Sequence, residues 1–551
     1  MLQRKVMVIG VDAATLDLVR PWAGEGRLPN FQRFLENAAC PLRSTVPMVS
    51  AAAWSTFATG LNPGKHGIID FCQLEPDRYE ARFVNARHRH GATFWEIAGQ
   101  AGIRGGIINV PVTYPPRPYN GFIVSGVLSP SPNRKMTSPP ELFDELMEAC
   151  PDYAIDANVA NTSGRDVRLL FLQRSLACIK TRQQAAVALY RKHRPPLFCV
   201  VFTITDRLCH YFWRYLELNR AGRHTSETEK LLGESIFAAY SKIDEAIGAL
   251  VDVAGDDTDV FILSDHGSGP RSGGINMRNL LLQHGLLTKI RSGLLRRTIR
   301  RTINTVARSA PTSLKSWAKT RLAATTSRAA SSVACGGIDF SRTQAYPVGE
   351  AAGLFVNLKG RQPQGIVEPG AEYEAVRDRL IDILSNLTDP DTNRPIASKV
   401  HRREEIWSGP YVKRLPDVVM EQEVKHYDTR LNPEVENEDI FYSLDGLEPT
   451  SLYHSGQHTR NGLLMAMGPH IRRCPELPQA DIADVPATIL ALTGCEIPEC
   501  FDGRVLTEML TDDVEIPGRR SGGADDGDDQ EVFSEEEKAI VEERLKGLGY
   551  L

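Results

Sequence analysis

Lys5-Val-Met-Val-Ile-Gly-Val11, followed at once by Asp12, is a continuous apolar run closed by a carboxylate. Two further runs share this form. Leu197-Phe-Cys-Val-Val-Phe-Thr-Ile204 ends at Thr205-Asp206, with His210 four residues on, and Asp259-Val-Phe-Ile-Leu263 ends at Ser264-Asp265-His266-Gly267. An apolar run without alternation, bounded by turn residues, is the pattern of a strand covered on both faces. Helical patterns separate the runs, among them 165–189 and 227–253. This βα alternation predicts an α/β fold, a mainly parallel sheet with helices on both faces. In open sheets of this kind, ligands collect at the carboxyl ends of the strands. Three strands deliver a carboxylate there, and two are followed by a histidine, which core packing alone does not call for.

The stretch 45–67, TVPMVSAAAWSTFATGLNPGKHG, reads as a loop, a short helix and a break at Asn62-Pro63-Gly64. Ser50 opens the helix, where unpaired N–H groups and the helix dipole favour an anion. Ser55, Thr56 and Thr59 follow it. Taken alone, the stretch describes a capped buried helix as well as a nucleophile site.

Five blocks occur in order along most of the chain. They are Val8-Ile-Gly-Val-Asp12, the block 50–68 with Thr59-Gly-Leu-Asn-Pro-Gly-Lys-His-Gly67, Asp206-Arg-Leu-Cys-His210, Ser264-Asp-His-Gly267, and Ser455-Gly-Gln-His458 ahead of Gly462-Leu-Leu-Met-Ala466. In these the chain resembles the alkaline phosphatase superfamily, and within it the bacterial type I phosphodiesterase/nucleotide pyrophosphatase group. The resemblance implies a two-metal hydrolase of phosphate esters with Ser50 as nucleophile. Asp12, Ser50, Asp265 and His266 would hold one metal; Asp206, His210 and His458 would hold the other. Carboxylate and imidazole ligands suit zinc or manganese rather than calcium. Substrate contacts are expected from Trp54 and from Asn109, although the Pro-rich loop that begins at Asn109 also reads as a rigid connection. The chain departs from the group's pattern in two places. Ser50 stands where threonine is usual and is followed by Ala51-Ala-Ala53, and His66-Gly67 runs into Ile68-Ile69-Asp70-Phe71 without the asparagine that contacts phosphate. That contact is therefore lost or comes from another loop, with Asn109 the candidate. His66 reads as part of a structural turn, His88 and His90 as surface residues, and His454 as a minor candidate for substrate contact.

The 551 residues suit one large α/β core with insertions, and a formal charge of −5 argues against binding a nucleic-acid polymer. The ten cysteines lack metal-type pairing and read as reduced thiols. The chain shows no secretory signal and no apolar run of spanning length, so a cytoplasmic location is the expectation. The core is assigned to 1–285 and 336–512, a basic helical cap to 286–335, and a flexible acidic linker with a C-terminal helix to 513–551. Residues 286–332 hold eleven Lys or Arg and no Asp or Glu, with apolar residues at helical spacing. This is a solvated helix pair, or a surface that meets a polyanion or an anionic membrane. Besides a phosphodiester or pyrophosphate hydrolase, the sequence allows a phosphomonoesterase or phosphomutase of the same superfamily, and a non-catalytic regulator acting through the basic cap.

Overall fold

The computed structural model describes residues 4–75, 77–157, 166–290, 337–349, 353–422, 426–429, 439–443, 452–521 and 530–548. At its centre is a nine-stranded sheet. The order is Ala480–Asp481, Ala38–Arg43, Asn461–Met467, Thr258–Leu263, Lys5–Val11, Leu197–Phe202, Gly105–Ile108, Gly121–Val124 and Thr137–Ser138. The five strands from Thr258–Leu263 to Gly121–Val124 pair in parallel, whereas Asn461–Met467 is antiparallel to both its neighbours.

Side chains alternate across this sheet, and both faces are covered. Met7, Ile9, Val11, Phe198, Val200 and Phe202 enter one apolar core, packed against the long Val167–His193, Ile204–Arg220 and Ser235–Ala254 helices. Val6, Val8, Leu197, Cys199 and Val201 enter the other, with the Ser50–Thr59 and Asp484–Leu492 helices. Val11 stands opposite Phe202, and Gly10 opposite both Val201 and Leu263. The residues that follow these strands, with Asp12, Asp206 and Asp265 among them, therefore leave the sheet at one edge.

Several local expectations change. The Asp206–His210 stretch, which reads in sequence as the loop after an apolar run, is helical, because the Ile204–Arg220 helix starts within two residues of the strand end. Its i, i+4 spacing puts both side chains on one face. His88 and His90 are not at the surface; both are buried. The chain past the Cys72–Glu75/Glu80–Phe83 hairpin folds under the 62–67 turn, where the His90 N–H donates to the His66 carbonyl at 3.1 Å.

The strands between residues 345 and 422 pair with one another rather than joining the main sheet. Ala345–Val348, Gly353–Val356, Val418–Gln422 and Ala397–Arg402 form an antiparallel sheet, backed by the Ala371–Ser385 helix around its own apolar cluster. The strand Gly267–Ile275 runs from the site towards this smaller unit, pairing Gly456–Thr459 near its start and Phe441–Tyr442 at its end. The C-terminal helix Glu535–Leu548 has the capping box that the Ser534…Glu537 spacing in the sequence predicts: Ser534 N–H to Glu537 at 2.9 Å and Glu537 N–H to Ser534 Oγ at 3.2 Å. Its Val541 and Leu545 are buried in the main core. The expected basic cap lies, apart from its first residues, outside the described residues, as does 522–529 of the acidic linker. No helix among the described residues is long and apolar enough to cross a membrane.

Candidate active site

Asp12 follows its strand directly, and its Oδ2 accepts the indole N–H of Trp54 at 3.1 Å. Ser50 is the first residue of the Ser50–Thr59 helix, every residue of which is buried, and no side chain caps that N-terminus. Its Oγ lies 3.4 Å from Asp12 Oδ1 and 3.1 Å from His266 Nε2. Asp265 Oδ1 accepts the Ala13 N–H at 3.4 Å, and its Oδ2 lies 3.3 Å from His266 Nε2. Alongside, Asp206 Oδ1 lies 3.2 Å from Nε2 of both His210 and His458. The ring centroids of His266 and His458 are 3.8 Å apart, so the two groups adjoin.

The imidazoles are oriented by main chain. Nδ1 of His266 lies 3.0 Å from the Gly267 carbonyl, that of His210 3.1 Å from the Gly456 carbonyl, and that of His458 2.8 Å from the Met48 carbonyl. A carbonyl only accepts, so each Nδ1 carries the proton and each Nε2 offers a lone pair. Nε2 of His210 and Nε2 of His458 are nevertheless 2.9 Å apart. Two facing lone pairs beside a carboxylate repel unless positive charge lies among them.

The electrostatics point the same way. Burial, then Asp265 and Asp206, raise Asp12 well above the usual carboxylate range. Burial and Asp206 push Asp265 up to about 7. Burial alone would raise Asp206 too, but positive charge shared with His210 and His458 holds it well below that range. Burial and then His458 push His266 down to about 4, and burial lowers His458. Neutral imidazoles and crowded carboxylates are the donor set of a cation site. Ligand atoms of Asp12, Asp265 and His266 lie within 4.8 Å of one another, as do those of Asp206, His266 and His458. The residues fit divalent metals.

The family model for type I phosphodiesterase/nucleotide pyrophosphatase matches residues 6–430. The chain belongs to that family. Among solved structures, phosphonoacetate hydrolase from Sinorhizobium meliloti 1021 with phosphonoformate is similar at 14% identity and a TM-score of 0.50, over 90% of this chain and 96% of its own. Murine ectonucleotide pyrophosphatase/phosphodiesterase 5 with AMP aligns at 12% identity and a TM-score of 0.49, over 92% of this chain and 100% of its own. No curated protein sequence matches. The fold is alkaline-phosphatase-like, and this family member is a metal-dependent phosphoester hydrolase.

The structure brings Asp12, Ser50, Asp206, His210, Asp265, His266 and His458 to one place. Trp54 and Asn109 stand elsewhere than expected. Trp54 is fully buried behind Asp12 and reaches the site only through that carboxylate. Asn109 is also fully buried, with its amide N–H₂ given to the Val201 carbonyl at 2.8 Å, so neither side chain is placed to touch substrate. His66 is buried within its turn, bonded to Thr56 Oγ1 and to the Ile68 N–H. His454 is half-buried and stacks on the ring of His210 at 4.8 Å. Supporting groups that the sequence reading passed over include Thr205 and Ser268, whose hydroxyls donate to the carbonyls of Asp12 and Ala13. Ser264 donates to the His266 carbonyl and accepts from Ala14 N–H. Each sits within two residues of a candidate ligand in the quoted blocks, which is the signal the sequence offers. The Met48 carbonyl had none.

Proposed function

We propose that this protein hydrolyses phosphodiester or pyrophosphate bonds in two steps, through a phosphoseryl intermediate on Ser50. One observation carries the reading: Ser50 Oγ lies beside both His266 Nε2 and Asp12 Oδ1, at the uncapped start of a buried helix. Asp12, Ser50, Asp265 and His266 would hold one divalent cation, and Asp206, His210 and His458 the other, with zinc preferred and manganese the alternative. When bound, the two cations favour the ionised serine hydroxyl and offset negative charge on the phosphoryl and leaving oxygens.

The chain itself positions the reactants. Ser50 Oγ bonds to phosphorus as the bond to the leaving oxygen breaks, and that oxygen departs with the electron pair and later takes a proton from solvent. The first-turn N–H groups of the Ser50–Thr59 helix face the phosphoryl oxygens. Water then bonds to phosphorus, the bond to Oγ breaks, and Ser50 recovers its proton. Trp54 holds Asp12, and the Gly267, Gly456 and Met48 carbonyls hold the three imidazole tautomers throughout. The family's name supports nucleotide phosphate esters as a substrate class.

The test compares bis-p-nitrophenyl phosphate with p-nitrophenyl phosphate, with metal content measured alongside. Chelation should abolish diester cleavage, zinc or manganese should restore it, and acid quenching should leave labelled phosphoryl on Ser50. Preference for the monoester overturns the diester reading, and label on Thr56 or Thr59 moves the nucleophile. Full turnover in metal-free protein ends the two-metal reading.

A further inference from the structure

The helix that carries Ser50 is held at both ends by one short segment of the smaller unit. Ahead of the helix, the Trp407 indole N–H donates to the Val46 carbonyl at 2.9 Å. Trp407 is buried there with Ile69, Leu415 and Val419, and Val46 packs against them. Beyond the helix, the Ser408 N–H donates to Asn62 Oδ1 at 3.3 Å and the Tyr411 N–H to the Gly64 carbonyl at 2.9 Å. The Tyr411 ring stacks on His90 with centroids 4.0 Å apart and planes at 17°.

The approach is main chain against main chain. A Cβ on Gly64 would lie 2.6 Å from the Ser408 carbonyl oxygen, and one on Gly409 2.6 Å from the Gly64 carbonyl oxygen. Gly409 also has φ +124°, outside the range of ordinary side chains. The glycines in Asn62-Pro-Gly64 and Ser408-Gly409 are thus what lets the two segments meet. The turn after the helix serves as a seat for the smaller unit.

We infer that residues 407–412 form a clamp that positions Ser50 and, through the Met48 carbonyl, His458. Val46 and Met48 lie two residues apart in the loop leading to Ser50. The first carbonyl is held by Trp407 and the second accepts from His458 Nδ1 at 2.8 Å. Releasing Val46 loosens the same loop that orients a metal-facing imidazole. The inference rests on the proposed roles of Ser50 and His458, and Trp407 acts as a positioning residue without touching substrate.

The experiment measures zinc affinity of the full chain by chelator competition, with kcat and KM for bis-p-nitrophenyl phosphate alongside. Trp407→Phe keeps an aromatic ring in the pocket and removes the N–H, and Gly409→Ala pushes the clamp away from Gly64. Both should weaken zinc binding by about 10-fold, the low end of what loss of an outer partner of a metal-ligating histidine costs. kcat should fall with them and KM stay close to wild type. Leu415→Ala, in the same apolar cluster but without a bond to the loop, should lower the melting temperature and leave zinc affinity unchanged. Wild-type affinity and kcat in both Trp407→Phe and Gly409→Ala would overturn the clamp while leaving the proposed function standing. A wild-type protein that binds no divalent metal would instead remove the proposed function, and the clamp's role with it.

Discussion

Trp54→Phe offers the sharpest test of how this site is supported. The substitution keeps an aromatic ring next to Phe57, which Trp54 meets edge-on at 5.4 Å, and deletes the N–H that Asp12 Oδ2 accepts at 3.1 Å. A buried hydrogen bond to a charged group contributes roughly 1.5–3 kcal/mol. At 1.4 kcal/mol per decade, that is at most about 10- to 150-fold in the affinity of a cation that Asp12 would hold, since the bond also exists in the metal-free site. The smaller ring also leaves a void, at roughly 1–2 kcal/mol of folding stability. The pH dependence has a definite sign. Burial and the neighbouring carboxylates already raise the proton affinity of Asp12, and the Trp54 bond opposes that rise. Without the bond, a cation must displace a proton over a wider pH range, so the gap between wild type and variant should widen as pH falls. Metal titration at several pH values, with kcat/KM and thermal melts in parallel, reads all three effects. If the variant binds metal within about twofold of wild type from neutral to mildly acidic pH, the indole does not support Asp12 as argued.

The two metal groups should separate by mutation. Asp206→Asn should empty the group with His210 and His458, and Asp265→Asn the group with Asp12, as read by metal analysis after dialysis; two metals retained in both variants would show the ligand assignment to be wrong. Leu545→Ala removes a fully buried side chain from the C-terminal helix. It should lower urea stability by roughly 2–5 kcal/mol, and an unchanged unfolding midpoint would mean that this helix does not belong to the core.

Much of the frame was legible because it is local. A strand covered on both faces is apolar at nearly every position, and Lys5–Val11, Leu197–Phe202 and Thr258–Leu263 carry that pattern after at most two polar residues at their starts. The capping box at Ser534 was equally plain, since its partners are three residues apart. Asp206 and His210 were visible as a pair, but their helix was obscured by its abrupt start at the strand end. His90 looked like a surface residue because the 62–67 turn and the Tyr411 ring that meet it come from other parts of the chain. Trp54 and Asn109 lie near the expected site in sequence, yet both are fully buried, with their N–H groups taken up by Asp12 and by the Val201 carbonyl.

The sequence by itself determined the doubly covered sheet, its carboxylate-bearing strand ends and the order of the ligand blocks, because burial and turn formation act on neighbouring residues. Only the tertiary structure decided which carbonyl holds each imidazole, which side chains stand behind the site and which segment grips the Ser50 helix. Met48 meets His458 across 410 positions and Val46 meets Trp407 across 361. Backbone carbonyls have the same chemistry at every residue, so their roles are set by packing and leave no mark in the order of side chains.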